Sequence, residues 1–378
     1  MSNSGKLKIY IISGEASGDL HGSNVMKALL AEEKEIEFRF WGGDKMSEVS
    51  GLKPAKHIKD LAFMGFSEVI MNLKTILNNI KFCKKDIEEF KPDGVLLIDY
   101  PGFNLRIAEW AKEKGIKVYY YVSPQIWAWK QNRVHKIKRV VDHMFTILPF
   151  EKPFYDKFNY DVEYVGHPLL DAIEQYREIQ LSPEEFRKQN NLADKPIIAI
   201  LPGSRKQEIS KKLPVMLEAT KDFKGYQFII AGAPSLDPEF YNQFISKDTN
   251  ILFGKTYDIL SASEAAIVTS GTATLETALL NIPEVVCYKA SPISYSIAKR
   301  LVKIKFISLV NLIMDEEIVK ELIQHDCNAK MIENELKQIV IGGNKRELML
   351  SKYAEMAEIL GGGGASKKVA HSLLKTIR

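Results

Sequence analysis

At 378 residues the chain is too long for one ordinary hydrophobic core and suits two domains of typical size. Its 46% hydrophobic and 26% charged residues are those of a globular protein, and a net charge of +4 by itself excludes nothing and proves nothing; no nucleic-acid partner is expected. No run of about 18 or more apolar residues occurs, which argues against a transmembrane helix. The opening MSNSGKLKIY has no charged-then-apolar leader pattern and runs straight into a strand. Cys83, Cys287 and Cys327 form no CxxC pair and have no histidine at metal-ligand spacing, so they read as reduced, structural thiols.

In chain order, Lys8 to Ser13 (KIYIIS) is a predicted strand that breaks into GEASGD and then a helical stretch from Leu20 to Leu30. Further strands are predicted at Gly94 to Ile98, ending at Asp99, and at Lys117 to Val122, ending at Ser123-Pro124. Phe145 to Leu148 and Val162 to Val165 continue the series. A polar, helical bridge from about Asp171 to Asp194 follows. The alternation restarts at Ile197 to Leu201, Gln227 to Ala231, Ala265 to Thr269, Glu284 to Tyr288 and Phe306 to Val310. Near-continuous apolar strands separated by helices indicate parallel sheets covered on both faces.

Two such series predict an α/β protein of two Rossmann-like domains facing a central cleft. The expected division is 1–170, 171–345 and a helical segment over 346–378, which packs back on the first domain or on a partner chain. Gly361 to Gly364 reads as the hinge before the final helix. In such sheets ligands bind beyond the carboxyl ends of the strands, so the residues there carry the functional reading.

The loop Gly14 to Asp19 has two glycines for a tight turn, and Glu15 and Ser17 suit hydrogen bonds to sugar hydroxyls. The alternative is a plain strand-to-helix turn with Asp19 as N-cap. Asp99, at the tip of GVLLI, suits a general base whose pKa apolar neighbours raise, or else a cap for the next helix. Trp127 and Trp129 share a loop that leads into a basic stripe of Lys130, Arg133, Lys136, Lys138 and Arg139. A solvated helix face and attraction to an anionic membrane both account for that stripe.

In the second half, Pro202-Gly203-Ser204-Arg205 offers amides, a hydroxyl and a guanidinium to a diphosphate. Ser270-Gly271-Thr272-Ala273-Thr274-Leu275-Glu276 sits on a strand end and opens a helix, the geometry in which backbone amides bind phosphate. Glu276 lies one turn in, within reach of ribose; a capping motif with Thr272 as N-cap is the alternative. Lys299 and Arg300 suit phosphate or membrane contact, and Asn311 suits a base or sugar. With no HExxH or DxD pattern, no metal and no cofactor are expected; cations and a helix dipole would hold the leaving group.

Together these segments resemble the lipid-A-disaccharide synthase family. The resemblance rests on GEASGDLHG, LAFMGFSEV, LIDYPGFN, YVSPQIWAWKQNRVHKIK, LPFEKPFYD, VGHPL, LPGSRKQEI, ASEAAIVTSGTATLE, AKRLVKIKFISLVNL and VKELIQ, in the family's order. It implies the GT-B architecture and an inverting transfer from UDP-2,3-diacylglucosamine to 2,3-diacylglucosamine 1-phosphate. The product is a β(1→6) disaccharide 1-phosphate, with release of UDP. By resemblance Asp99 is the base; Glu15, Ser17 and Asp19 line the acceptor side. Arg205, Ser270, Gly271 and Thr272 hold UDP, with Glu276 on the ribose and Asn311 near the nucleotide. Tyr100, before the proline, departs from the smaller residue expected there and bears on the shape of the acyl pocket.

Both implied substrates are acylated, so the resemblance also implies a cytoplasmic protein bound peripherally to the inner face of the membrane, and a homodimer is open. Met64, Phe66, Val69, Ile70, Leu73, Ile76, Leu77 and Ile80 form an apolar stripe at helical spacing beside Lys74, Lys81, Lys84 and Lys85. The stripe suits either interfacial binding or the domain's own core. Rival readings of the whole are a UDP-sugar epimerase, a transferase with another acceptor and a non-catalytic binding protein.

Overall fold

The computed structural model describes residues 6–61, 73–246, 249–302 and 304–377. The chain forms two compact units, Met1–Asp171 with Gly363–Arg378, and Ala172–Gly362.

The first unit is built on β1 (Leu7–Ser13), β2 (Ile36–Gly42), β3 (Lys56–His57), β4 (Gly94–Ile98), β5 (Lys117–Tyr121), β6 (His143–Thr146) and β7 (Glu163–Tyr164). They lie in the order β3-β2-β1-β4-β5-β6-β7, every pair parallel. All five residues of GVLLI in β4 are buried, as a central strand covered on both faces requires. β2 and β3 are additions to the predicted series. Charges interrupt β2 (IEFRFWG), and Arg39 sits mid-strand because its Nε donates to the buried Asp86 carboxylate at 2.7 Å. Pairing makes that charge tolerable in a strand, which a hydropathy pattern does not register.

The second unit holds β8 (Ile197–Leu201), β9 (Gln227–Gly232), β10 (Asn250–Phe253), β11 (Ser263–Thr269), β12 (Glu284–Tyr288) and β13 (Lys320–Ile323). Their order is β10-β9-β8-β11-β12-β13, again parallel throughout. The strand predicted at Phe306 to Val310 does not form. A helix, Leu309–Met314, begins there, with the Ser308 hydroxyl accepting the Asn311 N–H at 3.2 Å. The edge strand is β13 instead; a five-residue apolar run does not by itself separate strand from helix.

The segment expected as one piece over 346–378 is divided. Helix Arg346–Leu360 belongs to the second unit, and helix Ala365–Ile377 to the first. The latter buries Val369, Leu373 and Ile377, and the Asp171 carboxylate accepts the Gly364 and Ser366 N–H groups at its start. A carboxylate at a helix N-terminus satisfies orphan amides and complements the dipole. Asp171, expected to open the bridge between domains, therefore anchors the returning helix.

Candidate functional site

In each sheet the strand order reverses beside the first strand, and the loops there are the places for a ligand. In the first unit these loops follow β1 and β4. Gly14 follows β1, and nothing larger fits there: a Cβ would lie 2.4 Å from the Tyr100 ring. Tyr100 stacks on Phe103 with ring centroids 5.4 Å apart, so the residue that departs from the expected pattern is absorbed by packing.

After β4, Asp99 and Tyr100 both take left-handed backbone angles, with φ of 46° and 49°. Two consecutive non-glycine residues in that region are strained and persist only where the surroundings hold them. Here the Asp99 carbonyl accepts Tyr120 Oη at 2.6 Å and Asn104 Nδ2 at 2.8 Å, while its N–H donates to the Tyr121 carbonyl at 2.9 Å. The backbone is thus tied on three sides. Burial, followed by the negative charge of Glu15, pushes the Asp99 carboxyl up to about 6, against the Tyr100 N–H bond that lowers it. A carboxylate so poised is ionised at neutral pH yet more basic than an ordinary aspartate.

Two neighbours sort differently from the sequence reading. Helix Ala16–Glu32 starts with Glu15, not Asp19, at its N-cap. Asp19 is buried and already accepts the Gly43, Lys45 and Met46 N–H groups at 2.6, 3.1 and 3.2 Å. It caps the next helix, Asp44–Ser50, and three of its carboxylate's about four acceptor sites are already spent on those amides. Ser17 is exposed on the first turn and Glu15 is partly buried.

The second unit contains a pocket of about 340 Å³ at the corresponding strand ends. Its walls include Gly203, Ser204 and Glu208 after β8, Thr269 to Ala273 after β11, and Glu276. Helix Thr272–Leu279 starts at the glycine Gly271, which caps it without a side-chain bond. Thr272 is therefore the first helical residue rather than the N-cap. Gly271 holds φ of 153°, a conformation L side chains rarely adopt, and this keeps the helix mouth free of a Cβ. The Ser270 hydroxyl donates to the Ile307 carbonyl at 3.1 Å and its N–H to the Cys287 carbonyl at 3.1 Å, which fixes the loop.

Arg205 is the exposed N-cap of helix Lys206–Glu218, 3.7 Å from Glu208, at the pocket's edge rather than in its wall. Burial raises the Glu276 carboxyl, and a hydrogen bond from Tyr257 pulls it back. Asn311 departs from its expected role. Its side chain donates to the Val319 carbonyl and Glu321 Oε1, both at 2.9 Å, and accepts the Ile318 and Val319 N–H groups at 2.8 and 3.0 Å. All four hydrogen-bonding places of the amide are filled, so Asn311 pins its own segment and touches no nucleotide. The strand-end loop Gly232 to Pro234 also lines the pocket, as does Thr256. Neither was singled out in the sequence, although AGAP follows a predicted strand.

The remaining candidates are peripheral. Lys299 and Arg300 are exposed in the last turn of helix Pro292–Leu301, where the helix dipole favours cations in any case. Trp127 is buried edge-on against Phe150, whereas Trp129 is 38% exposed beneath Lys130 and Arg133. Lys136 and Arg139 of the basic stripe pair with the same carboxylate, Glu109, which offsets one of its five positive charges. Met64, Phe66, Val69 and Ile70 of the apolar stripe lie outside the described residues. In helix Leu73–Phe90, Ile80 faces the core, while Leu77 and Phe82 are 46% and 43% exposed. No helix among the described residues is long and apolar enough to cross a membrane.

A model of the family described as lipid-A-disaccharide synthetase matches residues 9–371. This chain belongs to the lipid-A-disaccharide synthase family. It is 37% identical to the lipid-A-disaccharide synthase of Trichlorobacter lovleyi over 378 residues, covering 98% of this chain and 97% of that one. It is 39% identical to that of Syntrophus aciditrophicus, with 98% of each chain covered. Among solved structures it is similar to the Neisseria meningitidis UDP-GlcNAc 2-epimerase bound to UDP-GlcNAc, with a TM-score of 0.69 over 98% of this chain and 100% of that one. An S. aureus MnaA–UDP co-structure gives a TM-score of 0.68, with 98% of each chain covered. These two are only 16% and 14% identical, so they establish the two-domain GT-B fold and not an epimerase activity. As a synthase of this family the chain is a hexosyltransferase that makes the lipid A disaccharide.

Proposed function

We propose that the two units divide the transfer between them. The second unit's pocket holds the UDP of UDP-2,3-diacylglucosamine; the first unit activates the 6-hydroxyl of 2,3-diacylglucosamine 1-phosphate. What carries this reading is the position of the raised carboxyl of Asp99 at one sheet's reversal point and, at the other's, of a helix mouth that no side chain caps.

In this mechanism Asp99 takes the hydroxyl proton as the acceptor oxygen attacks the anomeric carbon. The bond from that carbon to the UDP oxygen breaks, and configuration inverts in one displacement. The charge growing on the departing diphosphate is met by the amides of Thr272 and its neighbours and by the dipole of their helix. Arg205 adds a cation from the pocket's edge, and Lys299 and Arg300 are assigned to phosphate or membrane contact. Glu276 accepts from the ribose, and Glu15 and Ser17 hydrogen-bond the acceptor sugar. The decisive test is mass spectrometry of products from UDP-diacylglucosamine with acylated and unacylated acceptors. Disaccharide phosphate and stoichiometric UDP are expected only with the acylated acceptor, and with EDTA present; turnover of an unacylated sugar would move the acceptor assignment.

Acylated substrates require a protein that reaches a membrane surface without spanning it. The exposed Leu77 and Phe82 lie on the same helix as exposed Lys74, Lys81 and Lys85, and supply apolar side chains with basic neighbours. Leu77→Glu with Phe82→Glu should abolish sedimentation with vesicles containing anionic lipid; unchanged sedimentation would place the membrane contact elsewhere.

A further inference from the structure

Glu276 is held from outside the pocket it lines. Tyr257, in helix Thr256–Ser261, donates its hydroxyl to Glu276 Oε1 at 2.9 Å, yet it is absent from the pocket wall that its neighbour Thr256 helps to form. The Tyr257 ring packs edge-on against Tyr176 with centroids 5.3 Å apart, and the Tyr176 hydroxyl donates to Asp258 at 3.0 Å. Two tyrosines therefore buttress one oxygen of the carboxylate. Among the described residues no other hydrogen bond to the Glu276 carboxylate is made, so its second oxygen is left for the pocket.

We propose that Tyr257 is a positioning residue for nucleotide recognition: by fixing one oxygen of Glu276 it turns the other into a directed acceptor for a ribose hydroxyl, and so makes the pocket select ribonucleotides over deoxyribonucleotides. The proposal rests on the reading that the pocket takes UDP and that Glu276 meets its ribose. Its physical basis is that a buried carboxylate loses solvation and is kept ionised by the donors it retains. Without the tyrosine hydroxyl, Glu276 would be freer to rotate and easier to protonate, and a neutral carboxyl is the weaker acceptor. The tyrosine touches no reacting atom and acts only through the glutamate.

The test is calorimetric titration of the full chain with UDP, 2′-deoxy-UDP and 3′-deoxy-UDP. The unaltered protein should bind UDP about tenfold or more tightly than the analogue that lacks the contacted hydroxyl. Glu276→Ala should abolish that preference. Tyr257→Phe should cut it at least about threefold through weaker UDP binding, with the deoxy analogue scarcely affected and the deficit larger at pH 6 than at pH 8. If Tyr257→Phe keeps the full preference while Glu276→Ala loses it, the positioning role is overturned and the ribose reading stands. Equal weakening of all three nucleotides by Tyr257→Phe also overturns it, since that is the signature of a purely structural tyrosine. A preference that survives Glu276→Ala overturns the ribose reading, and this proposal with it.

Discussion

The two units place the same pair of loops at the same point of the same sheet order and fill them with opposite chemistry. After β1 and β4 the first unit offers Glu15 and Asp99, both partly buried, with Asp99 on a strained backbone. After β8 and β11 the second offers glycines, hydroxyls and an exposed arginine around a helix mouth that no side chain caps. The backbone device is common, and the task is set by what the side chains add. In the proposed mechanism phosphate needs little more than amides and room, which Gly271 and its small neighbours offer. The proposed base needs a carboxylate whose charge is mildly disfavoured, and burial with a second acid, Glu15, raises Asp99 in that direction.

The largest expected effect that tests this contrast is Asp99→Asn. It should lower kcat by about 10²- to 10⁴-fold with UDP binding unchanged, and the unaltered enzyme's rate should fall as pH drops through about 6. Near-normal turnover would reassign the base. The same raised carboxyl costs stability where it is ionised in both folded and unfolded states, which is above about 6. Asp99→Asn should therefore gain up to about 3 kcal/mol at pH 8 in denaturant melts, a gain that shrinks between pH 6 and pH 4 as the native carboxyl takes up its proton.

Asn311 tests the other side of the comparison. Asn311→Ala leaves buried amides and carbonyls unpartnered and should cost about 3 kcal/mol in urea melts, with UDP affinity of the folded protein unaltered. Lost UDP affinity at unchanged stability would return Asn311 to the nucleotide. The smallest effect is expected at Asp171→Ala, which removes the acceptor at the start of helix Ala365–Ile377 and should cost about 1 kcal/mol. Hydrogen exchange of that helix should accelerate while exchange in the second unit stays the same. Equal acceleration in both units would mean that Asp171 does more than hold the tail.

Much of the fold was legible because its central strands are buried on both faces, so GVLLI, IIAIL and AAIVT announce themselves as apolar runs ending in polar loops. The edge strands were not, for different reasons. β2 carries a charge that Asp86 neutralises from a distant helix, and β13 (KELI) is short and only half apolar. At the strand ends the residue types at Asp99, Gly271 and Glu276 were readable, since a tip carboxylate, a permissive glycine and an acid one turn into a helix each have a local signature.

The amino-acid order by itself determined the class of fold, the family and the short set of loops where chemistry belongs, because hydrophobic period and strand-end motifs are local properties of the chain. Only tertiary structure decided which polar residues in those loops are spoken for. Asp19 spends its carboxylate on amides more than twenty residues away, and Asn311 spends its amide on the approach to β13. Tyr257, in no motif at all, reaches Glu276 across nineteen residues of sequence. A side chain's capacity for hydrogen bonds is finite, and which partners fill it depends on what the fold brings within about 3 Å.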